Sequence, residues 1–255
     1  MKREASWACP EVRHNLKCMK TNKLVLKDSE LKDENNYKFK RGKMNKLVCF
    51  EGIDGSGKST ICKKLKNNLQ KAGQRVLMLH QPGVTKLGKS IRKLLLNNDS
   101  EIDFVTERLL FSAENADFIN YLKKIRNNYD IILLDRSTFI SEQVYTKALK
   151  NTDILRVQQH LSEIIPGFED FVKQTYLVIV TVSRSEWKKR CKMLDGDRIE
   201  QRGNDYLERV FKIYQERDFN WKHFNKLIEV NNDNLNNVLA QIRNKIFKKE
   251  FVKNG

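Results

Sequence analysis

The sequence predicts an α/β fold in which five parallel strands form a central sheet with helices on both faces. Five short apolar runs alternate with longer segments of helical periodicity between residues 46 and 248, as in sheets built from strand–helix–strand units. The third run, 131–134, is continuously aliphatic, which is typical of a strand covered on both faces. With 255 residues, 40% of them apolar, the chain is long enough to bury the core of such a sheet.

Periodicity and turn residues place each element in order along the chain. We predict strands at 46–51, 75–80, 130–135, 175–182 and 226–230. We predict helices near 58–72, 91–96, 102–127, 140–149, 153–164, 185–193, 205–219 and 233–248, with a charged loop at 194–204. Ligands of parallel sheets bind at the carboxyl ends of the strands, so the residues that follow each strand are the first candidates for a site.

The composition indicates a globular protein outside the membrane. No apolar run approaches the roughly 20 residues that cross a bilayer, and the first 18 residues lack the apolar core of a secretion signal. Five cysteines without framework spacing favour a reducing compartment, so we expect a cytoplasmic protein. The net charge of +17 attracts polyanions of any kind and does not by itself identify a nucleic-acid partner.

The first 43 residues differ from the rest of the chain. They hold twelve Lys or Arg against six Asp or Glu and show no helical or strand periodicity. A polar segment of this kind contributes little to a packed core. We therefore expect a basic, mobile extension over 1–43 and a compact domain over 44–250.

The strongest motif lies between the first predicted strand and the first predicted helix. Residues 52–59 read G-I-D-G-S-G-K-S, the G-x-x-x-x-G-K-S pattern of a phosphate-binding loop in the context that this loop requires. Its backbone N–H groups surround phosphate oxygens, and the helix N-terminus adds positive potential. Lys58 is predicted to reach the β- and γ-phosphates and Ser59 to bind Mg²⁺. The residues predicted to bind ATP are Gly52, Asp54, Gly55, Ser56, Gly57, Lys58, Ser59 and Thr60.

A second pair of candidates ends the third predicted strand. Asp135 follows the apolar run 131–134, and an acid in this position beside a phosphate-binding loop can hold or orient Mg²⁺. Arg136 comes next, and a guanidinium suits two-point binding of phosphate better than an ammonium does. We predict that Asp135 and Ser59 hold the metal and that Arg136 contacts a phosphate.

Five segments in this order resemble the thymidylate kinases. They are FEGIDGSGKST (50–60), QPGVTKLGKSIRKLLL (81–96), ERLLFSAENADFI (107–119), Asp135-Arg136 and DRIEQ (197–201). The resemblance implies a three-layer P-loop fold with a short basic lid, and transfer of the γ-phosphate of ATP to dTMP, giving ADP and dTDP with Mg²⁺ as cofactor. It also implies a homodimer, since thymidylate kinases are commonly dimeric.

The resemblance assigns roles to single residues. The implied acceptor site consists of Asp54 on the deoxyribose 3′-hydroxyl, Arg136 and Arg92 on the phosphate, Phe111 stacked on the base, and Pro82 and Asn115 beside the base. The implied catalytic residues are Lys58, Asp135, Arg136 and Arg198. Because the loop of residues 52–59 has Gly55 where some family members have an Arg, the lid is expected to supply the cations. Its candidates are Arg190, Lys192, Arg198 and Arg202, with Arg198 preferred.

The sequence departs from the family where the acceptor base is expected. Asn115 stands where the family pattern has an Arg that donates to the thymine carbonyl. If Asn115 faces the base, dTMP should be only modestly preferred, and Asn115→Arg should sharpen that preference. The first hypothesis is therefore a dTMP kinase, and the second is a kinase for another or a modified deoxynucleotide. The third, a nucleic-acid-binding P-loop ATPase, is disfavoured because the sequence has no recognised nucleic-acid-binding module.

Overall fold

Five parallel strands form one sheet, as predicted. In the computed structural model, which describes residues 46–191, 197–220, 222 and 224–251, the strand order is β2-β3-β1-β4-β5. The strands are β1 (Lys46–Glu51), β2 (Val76–His80), β3 (Ile131–Asp135), β4 (Thr175–Thr181) and β5 (Lys226–Asn231). The predicted extension over 1–43 and the lid candidate Lys192 lie outside the described residues.

Helices follow each strand, and their ends differ from the predicted ends by a few residues. They are α1 (Lys58–Lys71), α2 (Lys86–Leu96), α3 (Phe104–Ile125), α4 (Thr138–Ala148), α5 (Thr152–Ile164), α6 (Phe168–Gln174), α7 (Arg184–Cys191), α8 (Asn204–Glu216) and α9 (Leu235–Ile246). Helix α6 was not predicted, because seven residues make fewer than two full turns and show no clear period. Among the described helices, none combines the length and hydropathy needed to cross a bilayer.

Side-chain caps fix where several helices begin. Asp103 accepts hydrogen bonds from the backbone N–H groups of Val105 and Thr106, at 2.8 and 3.0 Å, and so starts α3. Thr85 accepts from the N–H of Gly88 at 2.9 Å and starts α2. These bonds satisfy backbone donors that have no partner within the helix. The cap at Asp103 explains why α3 begins two residues later than its predicted start at 102.

Alternate side chains of the central strands pack into two separate hydrophobic cores, one on each face of the sheet. Ile132 and Leu134 of β3 belong to the core covered by α2, α3, α4 and α8, whereas Ile131 and Leu133 belong to the core covered by α1 and α9. Because successive side chains of a strand point to opposite faces, a strand with two covered faces needs apolar residues at every position. This requirement accounts for the aliphatic run at 131–134.

The strand order creates a crevice at the carboxyl edge of the sheet. The chain leaves β1 towards β2 on one side and leaves β3 towards β4 on the other, so the connections diverge between these two adjacent strands. Sheets of this class bind ligands where the connections diverge. The register aligns Asp135 with Phe50 on one side and with His80 on the other. Asp135 and the loop that follows β1 therefore share this crevice.

Candidate active site

The loop that joins β1 to α1 requires glycine at two positions for steric reasons. Gly52 has φ of 149°, and a Cβ there would lie 2.3 Å from the carbonyl oxygen of Val180. Gly57 has φ of 92°, and a Cβ there would lie 2.3 Å from the amide nitrogen of Asn232. A side chain at either position would force the loop away from its neighbours. The two glycines thus let the loop pack closely against Val180 and Asn232.

Lys58 is the buried cation of this loop. Its Nζ donates hydrogen bonds to the carbonyl oxygens of Gly52 and Ile53, at 2.7 and 2.9 Å. Burial lowers the pKa of Lys58, with Arg136 adding to the effect and Asp54, Glu51 and Asp135 opposing it. The side chain folds back over the loop and lines a cavity of about 650 Å³. A phosphate group in that cavity would meet a positioned ammonium.

Asp135 provides a carboxylate beside the same cavity. Its Oδ2 pairs with Nδ1 of His80 at 3.1 Å, and the hydroxyl of Ser59 also bonds to this carboxylate. Burial acts to raise the pKa of Asp135, but the hydrogen bonds from His80 and Ser59 and the charge of Lys58 lower it below the ordinary value. The other oxygen, Oδ1, is buried without a hydrogen-bond partner among the described residues. An ionised carboxylate with an unsatisfied oxygen beside a serine hydroxyl fits a hard cation such as Mg²⁺.

Arg136 connects the two neighbouring strand ends. It is a non-glycine residue with φ of 79°. Residues other than glycine usually avoid this backbone conformation, and those that adopt it cluster at functional sites. Its backbone N–H donates to the carbonyl of Phe50 at 3.0 Å. The guanidinium donates to the Asp54 carboxylate and, at 3.2 Å, to the Ser141 hydroxyl. The unusual backbone angle thus turns the side chain back towards the phosphate-binding loop.

Asp54 is held from two sides. Its Oδ1 pairs with Arg136, and its Oδ2 accepts from the hydroxyl of Tyr145 at 3.0 Å. Burial would raise the pKa of Asp54, but the charges of Arg136 and Lys58 outweigh burial and hold it well below its ordinary value. Asp54 is therefore ionised at neutral pH.

Two cavities meet at the Asp54–Arg136 pair. The larger, of about 650 Å³, is lined by these predicted residues: Asp54, Gly55, Gly57, Lys58, Ser59, Thr60, Asp135 and Arg136. The smaller, of about 140 Å³, is lined by these: Asp54, Pro82, Arg92, Phe111 and Arg136. We call the larger one the donor cavity and the smaller one the acceptor cavity. The predicted residues that line neither cavity are Gly52, Ser56, Asn115 and Arg198.

The interpretation of Asn115 as a residue facing the base is wrong for this structure. Asn115 is fully buried, donates to the Glu142 carboxylate at 3.1 Å and accepts from the Thr138 hydroxyl. It lies behind Thr138 and Glu142, which line the acceptor cavity in its place. An arginine at position 115 would have to displace this buried network, so Asn115→Arg is not expected to sharpen base preference.

Arg198 does not lie at the phosphate site expected for it. Its Nε donates to the carbonyl of Leu95 at 2.8 Å, and its guanidinium pairs with Glu107. Glu107 is completely buried and also pairs with Arg108 and Arg202. Arg198 and Arg202 thus attach the segment 197–202 to α3, and their contacts do not support a role at the phosphates.

Of the described lid candidates, Arg190 is the one that lines the donor cavity. Its Nη1 donates to the carbonyl of Gly55 at 3.3 Å, and its Nη2 donates to that of Asn232 at 3.0 Å. Asn232 in turn donates to the carbonyl of Ser56 at 2.8 Å. Asn232 was missed in the sequence, although it comes two residues after the predicted strand 226–230, at the edge where ligands bind.

The acceptor cavity has further lining residues that were not predicted as site residues from the sequence: Tyr145, Arg108 and Glu142. Tyr145 and Glu142 lie on α4, one turn apart, and Arg108 lies on α3. Nothing in their spacing distinguishes them from ordinary helix residues. Their place in the cavity depends on how α3 packs against α4, which local sequence does not reveal.

Three features together define a P-loop kinase with a small phosphate acceptor. They are a glycine-rich loop between a strand and a helix, an acid at the end of the adjacent strand, and a second, smaller cavity that meets the first. A family model described as Thymidylate kinase matches residues 50–242. The chain belongs to the thymidylate kinase family. Membership confirms the expected enzyme class, the nucleoside monophosphate kinases, and the expected ATP-dependent phosphorylation of dTMP.

Individual relatives agree with this assignment. The thymidylate kinase of Prochlorococcus marinus (strain NATL2A) is 30% identical over 221 residues, which cover 82% of this chain and 98% of the relative. That of Chlorobaculum parvum is 34% identical over 174 residues, which cover 64% and 78%. The structure of thymidylate kinase from Candida albicans has a TM-score of 0.58 at 22% identity, covers 81% of this chain and 92% of its own, and supports the fold.

The buried carboxylate of Glu107 should be a major contributor to stability. Glu107→Gln leaves three arginines without their shared counter-charge in a buried setting, so we expect the free energy of unfolding to fall by about 3 kcal/mol. The matched control is Glu208→Gln, which removes a more exposed carboxylate that pairs with Arg184 and Lys188. Surface pairs of that kind contribute less than about 1 kcal/mol. Equal effects in urea denaturation would contradict the assignment.

The buried carboxyl of Glu142 should make stability depend on pH. Burial raises the pKa of Glu142 to about 8, with Glu114 and Glu107 adding to the rise and Arg108 opposing it. The folded protein therefore keeps a proton that the unfolded chain loses above its ordinary pKa, and stability falls as pH rises from about 5 to 8.

Glu142→Gln removes this titration, so the variant should gain stability relative to the unmodified chain as pH rises over that interval. Urea denaturation at pH 5, 6.5 and 8 measures the difference. Glu163→Gln, at an exposed position on α5, serves as the control and should leave the slope unchanged. A constant difference between the Glu142 variant and the unmodified chain would show that Glu142 does not titrate in this interval.

Proposed function

We propose that this chain transfers the γ-phosphate of ATP to the 5′-phosphate of dTMP with the residues of the two cavities as its machinery. The meeting of the donor and acceptor cavities at Asp54 and Arg136 carries this proposal. A phosphate oxygen of dTMP forms the new bond to the γ-phosphorus, and the bond from that phosphorus to the β-phosphate oxygen breaks, releasing ADP. Since the attacking phosphate is already ionised, the reaction needs positioning and charge neutralisation rather than a general base.

On the donor side, the loop of residues 52–59 binds the phosphates of ATP. Its N–H groups and the N-terminus of α1 supply partial positive charge. Lys58 exchanges its bonds to the carbonyls of Gly52 and Ile53 for bonds to the β- and γ-phosphates. Arg190, which already contacts Gly55 and lines the donor cavity, is the cation that we propose in place of Arg198.

Mg²⁺ is the cofactor that suits this donor set. Ser59 and Asp135 would hold it, and the unpartnered Oδ1 of Asp135 supports this assignment. The remaining ligands would be phosphate oxygens and water, which is usual for Mg²⁺ in phosphate-transferring enzymes. When bound, the ion supplies charge neutralisation between the β- and γ-phosphates.

On the acceptor side, two guanidinium groups bind the dTMP phosphate. Arg136 lies where the cavities meet, and Arg92 is oriented by the bond from its Nη1 to the carbonyl of Pro82 at 3.1 Å. Phe111 lines the acceptor cavity and offers a ring face to the base. Asp54, fixed by Arg136 and Tyr145, accepts a hydrogen bond from the deoxyribose 3′-hydroxyl.

A homodimer in the cytoplasm is the proposed form of the enzyme. Among the described residues, six large apolar side chains are exposed, and five of them lie on α2 and α3, which pack against each other: Leu87, Leu94, Phe104, Val105 and Leu109. We call these five the α2–α3 patch. Several exposed apolar side chains on two packed helices are typical of a protein–protein interface. A second copy of this chain is the occupant that we propose.

Lys58→Ala tests the donor assignment. Removing the ammonium leaves the developing charge on the phosphates without its fixed counter-charge, so we expect turnover of ATP with dTMP to fall by about 10²- to 10³-fold. Formation of ADP and dTDP at saturating ATP and Mg²⁺ is the measurement, with the melting temperature as the check on folding. Turnover close to that of the unmodified chain, in a folded variant, would refute the role of Lys58.

Leu94→Glu tests the dimer. A carboxylate within the α2–α3 patch would have to be buried in the interface, so we expect sedimentation to change from a dimer to a monomer. Ile164→Glu is the matched control, because Ile164 is equally exposed but lies at the end of α5. A monomeric unmodified chain, or a dimer that survives Leu94→Glu, would contradict this interface.

A further inference from the structure

The buried end of the acceptor cavity contains an arginine from an unexpected position. Arg108 lies two helical turns before Asn115 on α3 and is almost completely buried, yet it lines the acceptor cavity. Its guanidinium carbon lies 5.0 Å from the centre of the Phe111 ring. Arg108 and Phe111 both line the acceptor cavity, so a base in this cavity would lie near the guanidinium.

Part of the Arg108 guanidinium is anchored and part is free to bind a ligand. Its Nη1 donates to the Thr146 hydroxyl at 2.7 Å, and its Nη2 pairs with Glu107. Its Nε is buried and has no hydrogen-bond partner among the described residues. A buried N–H donor without a partner is costly unless a ligand or water satisfies it.

Glu142 places an acceptor next to this donor. Its backbone carbonyl lies 3.5 Å from Nη1 of Arg108, and its side-chain Oε2 accepts from Asn115. The other oxygen, Oε1, is buried without a partner within the described part of the chain. The buried end of the cavity thus contains one donor without a partner among the described residues, the Nε–H of Arg108, beside the carboxyl group of Glu142.

We propose that Arg108 reads the edge of the acceptor base, so that the guanidinium missing at position 115 comes from position 108. The Nε–H of Arg108 donates to the carbonyl oxygen at C4 of thymine. This inference rests on the proposed function and names a residue that determines its base specificity. Arg108 is a specificity residue and takes no part in phosphate transfer.

The chemistry of the base favours this edge. The sugar is attached at N1, and the sugar and phosphate contacts proposed above are made by Asp54 and Arg136 rather than by Arg108. The atoms farthest from N1 therefore reach the buried end, and in thymine and uracil they are the C4 carbonyl and the N3–H. Cytosine has an amino group and a bare ring nitrogen there, which reverses the donor and the acceptor.

The experiment compares kcat/KM for dUMP and dCMP, which differ only at this edge, in the unmodified chain and in Arg108→Lys. Lysine keeps the charge beside Glu107 but loses the Nε–H. We expect the value for dUMP to fall by about 10- to 100-fold, while that for dCMP changes by less than about threefold. Values for dTMP should follow those for dUMP, because the two share the same edge.

Thr146→Val is the matched control. It removes a hydroxyl that anchors Arg108 but does not line the acceptor cavity, so we expect the ratio of dUMP to dCMP efficiency to stay within about twofold of that of the unmodified chain. If Arg108 only stabilises the packing of α3, Arg108→Lys and Thr146→Val should both leave this ratio unchanged, and the proposal is then overturned.

A second measurement uses the unmodified chain and so does not depend on a variant that folds. The 2′-deoxyribonucleoside 5′-monophosphate of pyrimidin-2-one lacks both the C4 oxygen and the N3–H. We expect its kcat/KM to be about 10- to 100-fold below that of dUMP, and equal values would refute the proposal. If the unmodified chain binds ATP but phosphorylates none of these nucleotides, dTMP included, the proposed function itself fails.

Discussion

The ion pair between Asp54 and Arg136 is the interaction on which the site depends. It joins the loop after β1 to the residue after β3, and these strands are neighbours whose connections leave in opposite directions. Arg136 adopts a positive φ of 79° at this turn. Glu51 supports that turn, since its carboxylate accepts from the backbone N–H of Ser137 at 2.6 Å and from the hydroxyl of Ser141 at 3.0 Å. One pair of charges therefore marks the boundary between donor and acceptor cavities.

A second group of charges organises the structure around the acceptor cavity. Glu107 forms ion pairs with Arg108, Arg198 and Arg202 and so joins α3 to the segment 197–202. Burial would raise the pKa of Glu107, but Arg108 and Arg202 hold it below its ordinary value. In a buried setting each of these charges depends on the others, because an unpaired ion there is far less stable than in water. Arg198 therefore has a structural partner that the motif alone did not reveal.

The acceptor cavity differs from the donor cavity in its chemistry. The donor cavity is lined by Lys58, Arg136 and Arg190, all of them cations fixed by carbonyl groups or carboxylates. Glu142 lines the acceptor cavity, and Glu114 accepts a hydrogen bond from Thr138 of its lining. Burial raises the pKa of Glu142 to about 8 and that of Glu114 to about 7. Both cavities present lysine or arginine side chains, and the acceptor cavity adds the ring of Phe111 and the buried carboxyl group of Glu142.

The sequence by itself determined the fold and the donor side. Strand periodicity predicted the five-stranded parallel sheet, and the short-range pattern G-x-x-x-x-G-K-S predicted a loop whose geometry depends on residues next to one another. Only the tertiary structure decided which side chains face the acceptor base, since that depends on how α3 packs against α4 and on which buried charges find partners. Asn115 was expected in the cavity and lies behind it, whereas Arg108, two turns away on the same helix, lines it. The physical reason is that the helical period determines which residues share one face of a helix. Only packing against another element determines what that face contacts.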